Sequence, residues 1–173
     1  MTPDPGSLRP KRHRPFLFRT ALTSLVLIFS ATGMTAATIT PAAANTRVAR
    51  MADSTYEHRV QRWINVMRTD RGLRPLRFQR CSDRTAERWS RHLARNDLFY
   101  HQPMTAILDH CSARYAGETL ARGAIYPRRT VRMWMHSPPH RRIVLSPRPR
   151  RIGIGATLDG HGRWVVAANF VRP

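Results

Sequence analysis

From residue 55 onward the apolar positions fall first at helical spacing and then, near the C-terminus, at every second residue. Ser54 followed by Glu57 is a capping-box pattern. Tyr56, Val60, Ile64 and Met67 then share one face until Gly72 offers a stop, which predicts a helix over about residues 55–71. After an irregular piece containing Pro75 and Cys81, Ser82 can cap a second helix with Ala86, Trp89 and Leu93 on one face, ending near Asn96. A short helix is predicted over 105–111 with Ile107 and Leu108 inward, and an extended piece over 115–120. A further helix over 129–135 carries Val131, Trp134 and Met135, and Pro138-Pro139 must interrupt it. Ser137 as cap and Pro138 at the first helical position start a new short helix with His140, Ile143, Val144 and Leu145. Ile152, Ile154, Ala156 and Leu158 alternate with Gly153, Gly155 and Thr157. Gly160-His161-Gly162 then turns the chain into a strand over 164–171, a hairpin with one buried face. Trp63, Trp89 and Trp134 sit at helical positions and read as core.

The N-terminus has a different character. A basic stretch (Arg9, Lys11, Arg12, Arg14, Arg19) precedes an uncharged, mostly apolar run of 14 residues, 21–34, and small residues ending in Ala42-Ala43-Ala44. These are the three parts of a secretory signal, predicted to occupy residues 1–44, with a short linker over 45–54 and one domain over 55–173. The run is shorter than the roughly 18 to 20 apolar residues of a bilayer span, so no permanent membrane span is expected after cleavage, and an uncleaved anchor is the competing reading. The expected location is outside the cell, secreted or associated with the wall.

Charge and cysteine content sharpen this picture. Thirty Lys or Arg against 10 Asp or Glu give the chain +20, and removal of residues 1–44, with five cations and one Asp, leaves +16 over 129 residues. Every cation that remains is Arg, scattered over nearly all the helical segments. Two explanations stay open: a solvated surface rich in Arg through codon usage, or a dedicated polyanion site. Suitable partners outside the cell are anionic lipid headgroups, an acidic cell-wall polymer or extracellular DNA; no nucleic-acid-binding pattern is present, so no specific nucleic acid is expected. Export places Cys81 and Cys111 in an oxidising compartment, where the single possible pairing is a structural bridge and a lone thiolate nucleophile would be oxidised. The chain also lacks a Gly-x-Ser-x-Gly elbow and a Gly-rich phosphate loop.

Four stretches carry the candidate chemistry: His101 after the second helix; Gly117-Glu118-Thr119-Leu120-Ala121 leading to Gly123; Trp134 through Arg141 with the sequence WMHSPPHR; and the hairpin with Ile152-Gly153-Ile154-Gly155, Trp164-Val165-Val166 and Phe170. In this order, with Asn65, Arg68, Gly72 and Leu76 in the first helix region, they resemble the CAP superfamily of cysteine-rich secretory, venom-antigen and pathogenesis-related proteins (SCP-like extracellular domains), in its bacterial branch. The resemblance implies an α+β fold, an α-β-α sandwich with a small, mostly antiparallel sheet between helical layers. It also implies a cleft to which His101, Glu118 and His140 contribute, with Thr119 where the family usually has Asn and Ser137 near the position of a second acid.

On their own chemistry, two imidazoles and a carboxylate suit a zinc-like divalent metal, with His101 and His140 as ligands and an open position for water. A helix start beside His140 favours its neutral ring. His101 and His140 as hydrogen-bonded structural groups, with Glu118 satisfying backbone donors, is the reading that stays open beside this one. His136 and His140 stand four apart, but the prolines break the helix such a pair needs. His92, Asp109 and His110 read as solvated. Two functions follow: a monomeric extracellular binding module for lipid or wall ligands, and a metal-assisted hydrolase with Glu118 as catalytic base.

Overall fold

The computed structural model describes residues 51–123 and 125–173. The predicted signal segment and most of the linker lie outside the described residues. Among the described residues, five helices and four strands follow in the order α1 (Asp53–Thr69), β1 (Arg77–Phe78), α2 (Arg80–Arg95), α3 (Met104–His110), β2 (Tyr115–Gly123), α4 (Pro127–His136), α5 (Pro138–Val144), β3 (Arg151–Leu158) and β4 (Trp164–Arg172). The strands form one sheet in the order β1-β3-β4-β2; β1 runs parallel to β3, and the other pairings are antiparallel. Helices α1, α4 and α5 cover one face and α2 and α3 the other, giving the expected α-β-α sandwich. None of the described helices is long and apolar enough to cross a membrane.

The larger core lies under the first layer. Tyr56, Val60 and Ile64 from α1 and Val131, Trp134 and Met135 from α4 meet Ile152, Ile154, Ala156, Trp164, Val166, Ala168 and Phe170 from the hairpin. Trp134 donates its Nε1–H to the Leu120 carbonyl at 2.8 Å, so the indole is buried without an orphaned donor. Under the second layer, Ala86, Leu93 and Ala94 pack on Leu120, Val165 and Ala167. The bridge Cys81–Cys111 is formed, with Cα atoms 5.6 Å apart, and joins α2 to the end of α3.

The hairpin is buried on both faces, not one. The positions that read as outward-facing, Gly153 and Gly155, are where α2 lies directly on the strand: a Cβ on Gly153 would collide with the Ser82–Asp83 backbone, and one on Gly155 with the Ala86–Glu87 backbone. Two predicted caps also differ. Helix α1 starts at Asp53 behind Ala52, so Ser54 lies inside it, and Glu57 instead accepts from the Ala156 N–H at 2.8 Å. Helix α2 starts behind Gln79, and the buried Ser82 hydroxyl donates back to the Gln79 carbonyl. The α1 stop is as expected: Gly72 has φ +69°, and the Leu73 N–H closes on the Arg68 carbonyl at 3.0 Å.

Candidate functional site

Strand β2 is an edge of the sheet, and the site wraps around it. Glu118 points to the α2 side, level with Asn169 of β4. The loop after α2 brings His101 and Gln102 over it. His101 Nδ1 lies 2.6 Å from Glu118 Oε1, Gln102 Nε2 donates to Oε2, and the Gln102 backbone N–H donates to Oε1 at 3.3 Å. Gln102 also donates to Asn169 Oδ1 at 3.0 Å, and Asn169 in turn donates to Ser82 O and Thr85 Oγ1. This chain of amides ties the carboxylate to α2.

His140 arrives from the opposite layer. Ser137 ends α4 and begins α5 in an extended conformation (φ −95°, ψ 114°), imposed by Pro138 after it. Its hydroxyl, expected to cap α5, makes no capping bond and pairs with His140 Nδ1 at 2.9 Å. The His101 and His140 rings lie 6.4 Å apart, centroid to centroid, although 39 positions separate them along the chain, and Ser137 joins the pair through its bond to His140.

The electrostatics of the three groups differ. The Glu118 side chain is 1% exposed, and burial pushes its carboxyl above the ordinary carboxylate range against the opposing hydrogen bonds from Gln102 and His101. The His101 side chain is 54% exposed. Burial, and then the charge of His101, lowers the pKa of His140 and favours its neutral ring. Beside Glu118, the Thr119 hydroxyl is buried with no hydrogen-bond partner among the described residues.

A metal would have His101 and His140 as its ligands. Among the described residues no three His, Cys, Asp or Glu side chains converge for an ion, and Glu118 is engaged on His101 Nδ1 instead of facing the His pair. Two imidazoles fall short of the three protein ligands of a catalytic zinc. Glu118 sits where a carboxylate orients a ligating histidine from behind.

A concavity with an apolar lining lies elsewhere, a groove of about 590 Å³ between α1, α4 and the start of α5. Trp63, Met67, Val131, Met135 and Pro138 form its floor, and Arg71, Arg128, Arg132 and Arg141 its rim, with the Arg128 guanidinium 4.9 Å from the Trp63 ring centroid. Trp63, expected in the core, is thus a half-buried groove wall. Trp89 is also half-buried. It stacks on His92, meets Tyr100 edge-on and donates to the Tyr100 carbonyl; His92 is exposed, as expected, with its Nε2 3.1 Å from the Tyr100 hydroxyl. His136 and His140 are on separate helices as the prolines require, and His136 Nδ1 is satisfied by the Arg132 carbonyl at 2.7 Å. Sequence reasoning missed Gln102, Asn169 and the groove arginines. The one available signal was Asn169, a lone amide inside an otherwise apolar strand.

Comparison with known proteins agrees with this fold. An uncharacterised protein of Bacillus subtilis, YkwD, is 32% identical over 114 residues, which is 62% of this chain but 44% of that protein, so the chain spans less than half of its relative's length. Among solved structures, an extracellular SCP-domain protein of Bacillus anthracis matches with a TM-score of 0.62 at 20% identity, over 70% of this chain and 41% of that one. An outer surface protein of Borrelia burgdorferi matches with a TM-score of 0.60 at 22% identity, over 65% and 88%. Residues 61–170 match the model of the CAP family, described as the cysteine-rich secretory protein family, and the chain belongs to it.

Proposed function

We propose that the protein is exported and acts outside the cell, free or associated with the wall, as a monomeric binding module for lipid or cell-wall ligands, using the His101–Glu118–His140 cleft with Ser137 and the basic surface. The observation that carries this reading over hydrolysis is the state of Glu118. A general base must come within hydrogen-bond reach of the proton it takes. Glu118 is buried, and both its oxygens are engaged by Gln102 and His101. It is therefore a positioning residue that fixes the His101 ring and leaves Nε2 as the nitrogen open to a ligand. The groove beneath Trp63 supports the lipid arm, since its apolar floor suits an acyl chain and its guanidiniums suit an anionic headgroup.

The second reading, metal-assisted hydrolysis with a zinc-like ion on His101 and His140, is favoured by the bias of His140 toward the neutral ring that ligation needs. One experiment separates the two. The purified protein is sedimented with phosphatidylglycerol vesicles, with phosphatidylcholine vesicles and with wall sacculi, and metal is analysed on the same sample. Binding predicts retention on the anionic vesicles or the sacculi, with His101→Ala weakening it and Glu118→Gln weakening it less than His101→Ala through a less firmly oriented His101. Turnover of wall material that Glu118→Gln abolishes, with metal present in stoichiometric amount, would establish the hydrolase instead.

A further inference from the structure

Strand β1 closes the sheet at the edge opposite the histidine cleft, and arginines crowd that edge. Arg74, Pro75, Arg77, Arg150 and Arg151 line a surface depression of about 450 Å³. Arg77 and Arg151 are register partners on parallel neighbouring strands, which lie about 4.8 Å apart. Like charges directly opposed in a sheet are destabilising. The described ion pairs use only His101, Arg122 and Arg163 as cations, and none of these four guanidiniums has a described hydrogen bond or ion pair.

The ground beneath them is positive as well. Arg68 is 1% exposed and is held by carbonyls alone, from Nε to Arg74 at 3.0 Å and from one terminal nitrogen to Val144 and Ser146 at 2.8 Å each. These bonds hold the turn that carries Arg74 against the segment that leads to Arg150 and Arg151. The backbone that carries these arginines is therefore held in place before any ligand arrives, and only their side chains remain to be ordered on binding.

We propose that this edge is a second binding site, for a flexible polymer of phosphodiesters such as a poly(glycerol phosphate) chain. Several forked guanidiniums around one depression match the many oxygens of a phosphate, and an open depression admits a chain passing through. The lining holds no aromatic side chain on which a base could stack, and Phe78, next along β1, points to the other face of the strand. A base-free phosphate chain thus fits better than a nucleic acid. The site deepens the wall-ligand part of the proposed function and rests on it for its partner, but it lies at the other edge of the sheet, so variants of His101 and variants of these arginines report on the two sites separately.

Fluorescence anisotropy of the purified full chain tests it, with labelled poly(glycerol phosphate), a single-stranded oligodeoxynucleotide and polyglutamate of equal charge as probes. The expected order of affinity places poly(glycerol phosphate) first. Arg77→Gln with Arg151→Gln should weaken it about tenfold or more and flatten the dependence of log affinity on log salt by about 1.4, the share of two phosphate contacts on a single strand. Arg59→Gln with Arg62→Gln, the same charge change on exposed α1 positions, should change affinity about twofold or less. Equal losses in the two double variants would show diffuse charge attraction and overturn the site. Tighter binding of the oligonucleotide or of polyglutamate would overturn the assignment of its partner.

Discussion

Glu57 is half-buried between α1 and β3, and burial, aided by the charges of Asp83, Glu87 and Asp53, pushes its carboxyl from 4.5 up to about 7 despite the Ala156 N–H it accepts. Between those two values the folded state holds a proton that the unfolded state has released, so stability falls as pH rises through that window. Glu57→Gln keeps an acceptor for Ala156 and removes the buried charge. Thermal melts should coincide with wild type at about pH 5 and lie above it at about pH 8, and coincidence at both would mean that the carboxylate is solvated. The sequence marks Ser54 and Glu57 as helix-start residues, which located α1 to within two positions. The use of Glu57 as a backbone acceptor for a strand 99 residues away was beyond any local pattern. The site divides in the same way. His101, Glu118 and His140 stand in recognisable stretches, whereas Gln102 and Asn169 acquire their role only when β2, β4 and the post-α2 loop come together.

At the scale of elements, helical spacing located all five helices and period two located the hairpin, because each has a face that must be buried. What periodicity could not carry was the second face of the hairpin. Glycine leaves no hydrophobic signature, yet Gly153 and Gly155 are where α2 approaches most closely. Gly155→Ala should therefore cost about 3 kcal/mol or more, since the obstructing atoms are helix backbone that cannot turn aside. A melting temperature within a degree or so of wild type would show that α2 can shift off the strand. The Cys81–Cys111 bridge closes a loop with a sequence separation of 30 and should contribute about 3 to 4 kcal/mol by chain entropy. Urea titration of the oxidised protein and of the double Cys→Ser variant reads this as a lower unfolding free energy for the variant, with a steeper slope because its unfolded chain is no longer cross-linked, and matching free energies would refute it.

Over the whole molecule, 23 arginines face nine Asp or Glu in residues 51–173. Composition shows that excess, but not that Asp53, Asp83 and Glu87 lie close enough to raise the pKa of Glu57, nor that Asp97 and Asp159 are taken up by Arg122 and Arg163. Much of the remaining surface is therefore positive without local compensation. The histidine pair at the β2 edge has a mechanical consequence. His101 belongs to the α2 side of the sandwich and His140 to the α5 side, and they meet only around the rim of an edge strand. A ligand that touches both imidazoles acts as a clasp across that rim, so parting either helical layer from β2 first requires the clasp to open. Amide hydrogen exchange along Tyr115–Gly123 should slow when such a ligand is bound, in both layers at once, whereas a ligand seated on His101 alone should protect the α2 side and leave α5 exchanging at its unbound rate.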